Sequence, residues 1–121
     1  MHLHGHNFWI VAQGFGIWDG HITQPQNPQR RDVYLLNKAQ SSSVPAYIVI
    51  EFNQDNPGVW PFHCHIAWHV SGGLYINVLE RPVDIKRSIQ IPQNVKDTCT
   101  TWKAWQAKGN IVDQIDSGER K

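Results

Sequence analysis

The sequence is organised around one stretch, Trp60-Pro61-Phe62-His63-Cys64-His65-Ile66-Ala67-Trp68-His69-Val70-Ser71-Gly72-Gly73-Leu74. Three imidazoles and one thiol lie between His63 and His69, and all of them are ligands for soft or borderline metals. If residues 62–65 are extended, successive side chains point to opposite faces, so His63 and His65 share one face and Cys64 takes the other. The stretch therefore predicts one strand that serves two metal sites, with a short covalent path for electrons between them.

The residues after Cys64 predict the first of these sites. Four residues separate Cys64 from His69, and four more separate His69 from Leu74. Such a loop presents one thiolate, one imidazole and one axial side chain to a single ion, and blue-copper sites add a second histidine from a distant strand. The sequence offers no obvious candidate for that second histidine. Because leucine cannot coordinate, the axial position is expected to be empty, which favours Cu(I) and raises the reduction potential.

A second group of histidines lies at the start of the chain, in His2-Leu3-His4-Gly5-His6. Alternation along an extended segment predicts that these three imidazoles share one face. A purification-tag remnant or a loop would also give such a run, but it continues directly into residues 7–12, a credible buried strand. The imidazoles that the thiolate site does not use indicate a second cluster, formed by His2, His4, His63 and His65. Copper is favoured over zinc because the sequence lacks a closed Cys/His tetrad at finger-like spacing.

The remaining segments are mostly strand and turn up to residue 90 and helical after it. Their β-branched and aromatic content predicts strands at residues 32–36, 46–52 and 74–80. Beyond residue 90, apolar side chains recur at helical spacing and predict one amphipathic helix, beginning near Pro92 or Asn94 and ending near Gly109. Its apolar stripe is interpreted as a docking face rather than a cofactor site.

Two smaller features have plain interpretations. The residues from 113 to 121 show no periodicity, and their composition predicts a segment without regular structure. His21 stands alone in a polar loop, and we interpret it as a solvated side chain rather than a ligand.

Composition excludes several classes of partner. With 121 residues, of which 40% are hydrophobic, the chain is long enough for one domain with a core. A net charge of +1 without a basic patch gives no reason to expect nucleic acid. No apolar run approaches the roughly twenty residues that span a bilayer, so no membrane segment is expected.

A Cys64–Cys99 disulfide is rejected because Cys64 is better used as a thiolate ligand, which leaves Cys99 to be explained from outside the chain.

The two histidine motifs resemble the copper motifs of the last cupredoxin domain of multicopper oxidases, and more narrowly those of ascomycete-type fungal laccases. The resemblance rests on residues 2–8 and 63–74, and it extends to the segments 27–32, 55–58 and 79–82. It implies an all-β fold, a partial cupredoxin-like Greek-key β-sandwich with a C-terminal α-helix and an extended tail. Residues 1–90 would form the partial domain, and residues 91–121 the helix and tail that dock on the parent enzyme.

The resemblance also implies a role for each site residue. Cys64 and His69 would bind the mononuclear type 1 copper, with Leu74 at its axial position. The trinuclear centre would take ligands from the remaining imidazoles: His2 for the type 2 copper, and His4, His63 and His65 for the type 3 pair. Electrons would pass from the type 1 copper through Cys64 to His63 and His65. His6 belongs to the motif but is not expected to ligate, and Cys99 resembles the cysteine that forms a disulfide with the first domain.

The implied activity is that of a secreted laccase, which oxidises phenols or aromatic amines by one-electron steps and reduces dioxygen to water. The family motif begins with a His-Pro pair that would fall immediately before Met1, and that histidine is the other type 1 ligand. We therefore expect an N-terminally truncated chain that is inactive alone. Asp116-Ser117-Gly118 resembles the C-terminal plug of these enzymes, but Glu119-Arg120-Lys121 follow it. Two alternatives are a single-domain blue-copper electron carrier and a non-catalytic metal-binding module.

Overall fold

The computed structural model describes residues 1–109, and the segment predicted to be irregular, residues 113–121, lies outside this range. The strands of the described part are β1 (His2–Leu3), β2 (Phe8–Phe15), β3 (Arg30–Arg31), β4 (Ala46–Glu51), β5 (Gly58–His63) and β6 (Tyr75–Glu80). The helices are α1 (Ala67–Ser71), α2 (Pro82–Ser88) and α3 (Gln93–Gln106).

The strands form two antiparallel sheets, with the orders β1-β5-β6 and β3-β2-β4. Strand β2 supplies most of the core: Phe8 and Ile10 are fully buried, and Leu3 of β1 packs with them. Partly buried side chains from both sheets cover this cluster, namely Tyr34, Ile50, Phe52, Trp60, Phe62 and Val78. Packing of both sheets against one apolar centre confirms the expected all-β sandwich class with a C-terminal helix.

The position of β5 in its sheet joins the two histidine motifs. It lies between β1 and β6, with His2 opposite His63 and Leu3 opposite Phe62. Backbone pairing thus brings the start of the chain beside the end of β5.

The predicted strand at residues 32–36 is wrong. Regular pairing is instead made by Arg30 and Arg31 against β2, and Val33 forms only a single bridge to His2. The reason is that β1, the strand that this segment faces, is too short to pair with it. Gly5 turns the chain with φ +73°, so β1 is only two residues long and has no further backbone for a ladder.

The helical content is higher than the sequence predicts. Helix α3 confirms the amphipathic helix, and its Trp102 and Trp105 rings stack with centroids 5.0 Å apart. Helices α1 and α2 were not predicted. Pro82 ends β6 as expected but also begins α2, because its fixed φ suits the first turn of a helix. Within residues 1–109, no helix is long and apolar enough to cross a membrane.

Candidate metal centre

Four imidazoles from two distant segments come together at the β1–β5 edge. His2 and His4 come from β1 and the turn after it, and His63 and His65 from the end of β5. The ring centroids are 4.8 Å apart for His2 and His4, 5.2 Å for His4 and His63, and 5.9 Å for His63 and His65. The structure thus gathers the four histidines that the sequence assigned to one cluster; we call them the imidazole cluster.

Backbone carbonyls orient two of these rings. His2 Nδ1 lies 2.7 Å from the carbonyl oxygen of Asp32, and His63 Nδ1 lies 2.7 Å from that of Cys64. A carbonyl oxygen only accepts, so each Nδ1 carries the hydrogen, which we assign from these partners. The Nε2 lone pair of each neutral ring is then the metal-binding atom, an arrangement that proteins commonly use to fix a ligating histidine.

The electrostatics of the cluster favour a neutral ring at His4. Burial lowers the pKa of His4 below its ordinary value, and the neighbouring His2, His63 and His65 lower that pKa further by charge repulsion. A neutral imidazole is the form that binds a metal ion. The crowding of the four rings therefore keeps His4 ready to act as a ligand.

The thiol site forms on the other side of the backbone. Cys64 is 9% exposed, and its Sγ lies 3.2 Å from His69 Nδ1. The loop between them closes on itself, because Cys64 N donates to the Leu74 carbonyl and Leu74 N donates to the His69 carbonyl. Helix α1 carries His69 back toward the thiol. The three residues predicted for one site are thus brought together by a helical turn that the sequence did not reveal.

A cavity of about 760 Å³ adjoins the thiol site. Its lining includes Cys64, His69 and Leu74 together with Met1 and residues 33–38. Leu74 is 42% exposed and supplies no donor atom. Leu74 therefore lines the cavity beside the thiol site without offering a metal ligand.

The two metal sites are distinct, as predicted, but a continuous strand is not what separates them. Strand β5 ends at His63, so the paired strand includes only the first two of the four residues, 62–65, for which the prediction assumed an extended chain. The two sites are nevertheless adjacent, because His63 Nδ1 donates to the carbonyl of Cys64, the residue whose thiol lies beside His69. One short segment of backbone joins them both covalently and by a hydrogen bond.

His6 does not share a face with His2 and His4, contrary to the alternation argument. The positive φ of Gly5 reverses the chain, and the His6 ring is buried with its Nε2 2.7 Å from Glu80 Oε2. Sequence reasoning missed Glu80 and its second partner, Asn56, whose backbone N donates to Glu80 Oε1 over 2.8 Å. The only signal was a carboxylate at the end of a mostly apolar strand, which does not reveal burial.

The other two residues singled out in the sequence lie away from both sites. His21 is exposed and contacts Asp19, with 3.1 Å between His21 Nδ1 and Asp19 Oδ2. Cys99 lies exposed on α3, and within residues 1–109 neither cysteine forms a disulfide.

The donor set fits copper. Imidazole nitrogens suit copper, and a buried thiolate beside an imidazole is the soft pair that copper sites use. Within the described range, no group of three or more His, Cys, Asp or Glu side chains is arranged to hold one ion alone. The residues present are thus donors of the right chemistry that do not complete a coordination sphere among themselves.

Comparisons with known proteins agree with this donor set. A family model described as "Multicopper oxidase" matches residues 1–84. The chain is 40% identical over 134 aligned positions to "Laccase-2" of Podospora anserina, covering 98% of this chain and 20% of that protein. It is 39% identical over 132 positions to "Iron transport multicopper oxidase FET3" of Gibberella zeae, covering 100% and 20%.

Solved structures give the same match. The laccase from Botrytis aclada aligns with a TM-score of 0.64 at 36% identity, covering 98% of this chain and 21% of that one. The chain therefore spans about a fifth of the length of each of these relatives.

Proposed function

Because the chain belongs to the multicopper oxidase family, whose cofactor is copper, we propose that it is the C-terminal copper-binding portion of a laccase. The observation that carries the proposal is the convergence of His2, His4, His63 and His65 beside a buried Cys64–His69 pair. One group of donors suits a mononuclear copper, and the other suits a multinuclear one. A laccase needs both.

Each residue has a distinct part in this proposal. Cys64 and His69 would hold the type 1 copper, with Leu74 at its axial position as a non-coordinating side chain. In the imidazole cluster, His2 would hold the type 2 copper, and His4, His63 and His65 would hold the type 3 pair. Copper at these positions supplies one-electron oxidation of an organic substrate and the reduction of dioxygen.

The protein's own contribution is orientation and connection. Carbonyls of Asp32 and Cys64 fix the rings of His2 and His63, so that each presents Nε2 to the cluster. Flanking His63 and His65 make Cys64 the covalent link between the two sites. The hydrogen bond from His63 Nδ1 to the Cys64 carbonyl offers a second, shorter path across the same peptide unit.

Further parts of the protein are needed to complete both sites. A blue-copper site takes two histidines and one cysteine, and the thiol site described here supplies one of each. We propose that the rest of the longer protein supplies the missing ligands and the substrate pocket, and that residues 91–121 dock on it. An exposed Cys99 on α3 is available for a disulfide with that part. We further propose that the enzyme is secreted.

Phenols and aromatic amines are the proposed substrates, with dioxygen as the electron acceptor. A relative named as an iron transport multicopper oxidase, at 39% identity, makes Fe²⁺ a second candidate. A single-domain electron carrier is disfavoured because it has no use for a second cluster of four imidazoles.

Dioxygen uptake separates these possibilities. The full-length protein, meaning this chain with all sequence encoded in the same polypeptide, is loaded with copper and given a phenol, an aromatic amine or Fe²⁺. We expect uptake with the first two, no uptake by the 121-residue chain alone, and loss of the blue thiolate-to-copper absorption in Cys64→Ser but not in Cys99→Ser. Uptake with Fe²⁺ only would replace the laccase assignment, and blue Cys64→Ser protein would refute the thiol site.

A further inference from the structure

Glu80 is a buried carboxylate that the proposed function does not use. It ends β6, is 1% exposed, and has two partners. Its Oε1 accepts the backbone N–H of Asn56 over 2.8 Å, and its Oε2 lies 2.7 Å from His6 Nε2. Within residues 1–109, neither of these last two atoms has a hydrogen-bond partner elsewhere, and each is the other's only contact of this kind. A buried carboxylate destabilises a protein unless it is bonded in this way, and its bonds therefore indicate its role.

Both partners of Glu80 also form hydrogen bonds to the backbone of the turn around Gly5. His6 Nδ1 donates to the carbonyl of His4 over 3.0 Å, and Asn56 Nδ2 donates to the carbonyl of Gly5 over 3.0 Å. Two consecutive carbonyls are thus held by the side chains of two residues that both contact Glu80, His6 through its ring and Asn56 through its backbone N–H. The first of these carbonyls belongs to His4 itself, a member of the imidazole cluster.

Trp60 covers this network. Its Nε1 donates to the Asn56 carbonyl over 2.7 Å, and its ring packs directly on Gly5, where an added Cβ would lie 2.6 Å from the ring. The His6 ring meets the Trp60 ring edge-on at 5.9 Å. The turn is therefore fixed by hydrogen bonds on one side and by an indole on the other.

We propose that Glu80 is a positioning residue for the copper ligands of the imidazole cluster, acting through His6 and Asn56 on the turn that holds His4. It contacts no metal. The inference rests on the proposed function, because it gives His4 a metal to bind. Hydrogen bonds that orient a ligand from behind typically change metal affinity by about ten- to a hundredfold when removed.

The hydrogen positions predict which substitution is tolerated. Since the His4 carbonyl only accepts, His6 Nδ1 carries a hydrogen, and His6 Nε2 is the ring atom that faces Glu80 Oε2. A glutamine at position 80 satisfies the same partners: its carbonyl accepts from Asn56 N, and its amide donates to a neutral His6 Nε2. Glu80→Gln thus keeps the geometry and removes the charge, whereas Glu80→Ala removes both.

The test compares Glu80→Ala, Glu80→Gln and Asn56→Ala in the full-length protein. Asn56→Ala deletes only the bond to Gly5, because the backbone bonds of residue 56 remain. Glu51→Ala, at an exposed glutamate that ends β4, is the matched control. Copper affinity of the imidazole cluster is measured by chelator competition and electron paramagnetic resonance. The blue absorption of the Cys64 site is the internal reference, because a general folding defect would lower both signals together.

We expect Glu80→Ala and Asn56→Ala to weaken copper binding at the imidazole cluster by about tenfold or more, with the blue absorption retained. Glu80→Gln and Glu51→Ala should bind copper as the unsubstituted protein does. The inference is overturned if Asn56→Ala binds copper at the imidazole cluster as tightly as the unsubstituted protein does. It is also overturned if the copper signal of the cluster and the blue absorption fall together, or if Glu80→Gln loses copper affinity at the cluster. If Glu80→Ala does not fold, Asn56→Ala and Glu80→Gln decide by the same criteria. Absence of copper from the imidazole cluster of the unsubstituted protein would instead refute the proposed function.

Discussion

His4 Nε2 lies 3.0 Å from His63 Nε2, although 59 positions separate the two residues in the chain. Two antiparallel strands, β1 and β5, bring them together, with His2 opposite His63 in the register. The His63 nitrogen in this contact is the one left for a metal, because the other nitrogen of that ring donates to the Cys64 carbonyl. This pair joins the two histidine motifs into one site.

Removal of one ring of this pair tests its role. His63→Ala removes a proposed ligand atom itself. Copper affinity at the imidazole cluster should therefore fall by more than the about ten- to hundredfold that is typical when a residue hydrogen-bonded to a ligand is removed. The matched control is His21→Ala, which removes an exposed histidine far from the cluster. Total copper per protein and the paramagnetic resonance spectrum are the measurements. Equal copper content in the two variants would show that His63 is not a ligand.

Acidification should destabilise the metal-free protein through His4. Burial and the neighbouring imidazoles lower the pKa of His4 in the folded state, so between that pKa and the ordinary histidine value of about 6.5 the unfolded chain binds more protons. The stability from the neutral ring is therefore present above about pH 6.5 and is lost as the pH falls through the folded pKa.

The measurement is the thermal midpoint of the metal-free full-length protein across this range. His4→Gln should lessen the decline with acid, since glutamine does not titrate, whereas His21→Gln should not. An identical acid dependence in the His4→Gln and unsubstituted proteins would refute the assignment.

The sequence predicted the site better than the backbone that forms it. Alternation grouped His63 with His65 and set Cys64 apart, and in the structure the His63 and His65 rings lie together while Cys64 lies beside His69. Spacing also grouped Cys64, His69 and Leu74. It could not show that α1 folds the loop back, since a five-residue helix has too little periodicity to be recognised.

Two errors have one physical cause. A strand continuing through Gly5 would have kept His6 beside His4 and given residues 32–36 a partner. Glycine at φ +73° ended that strand instead, and the sequence alone does not reveal which glycines adopt this conformation. The burial of Glu80 was equally hidden, because it depends on Asn56 and His6 arriving from distant parts of the chain.

The close packing of Gly5 on Trp60 predicts a large cost for a single methyl group. Gly5→Ala places a Cβ 2.6 Å from the indole at a positive φ, whereas Gly16→Ala has a similar φ of +83° and nothing within 4 Å. Both should lose about 1–2 kcal/mol from the backbone conformation. Gly5→Ala should lose about 1–3 kcal/mol more from overpacking.

Denaturant unfolding of the two glycine variants gives the comparison. Equal destabilisation would mean that Trp60 moves aside freely, and it would remove the argument that the indole fixes the turn.

Substitution at Leu74 tests the thiol site. A thioether at the axial position adds a donor that favours Cu(II), so Leu74→Met should lower the reduction potential of the blue copper. Leu79→Met, on an exposed residue of β6, introduces the same side chain elsewhere and should leave the potential unchanged. Redox titration of the blue absorption measures both. An unchanged potential in Leu74→Met would place Leu74 away from the axial position.

The central claim is that this chain holds copper at two places joined by one cysteine. Anomalous diffraction at the copper absorption edge, from crystals of the copper-loaded full-length protein, locates the metal directly. We predict one peak beside Cys64 Sγ and His69 Nδ1, and separate peaks among the rings of His2, His4, His63 and His65. A map that lacks the peak at one of these two places would contradict this prediction.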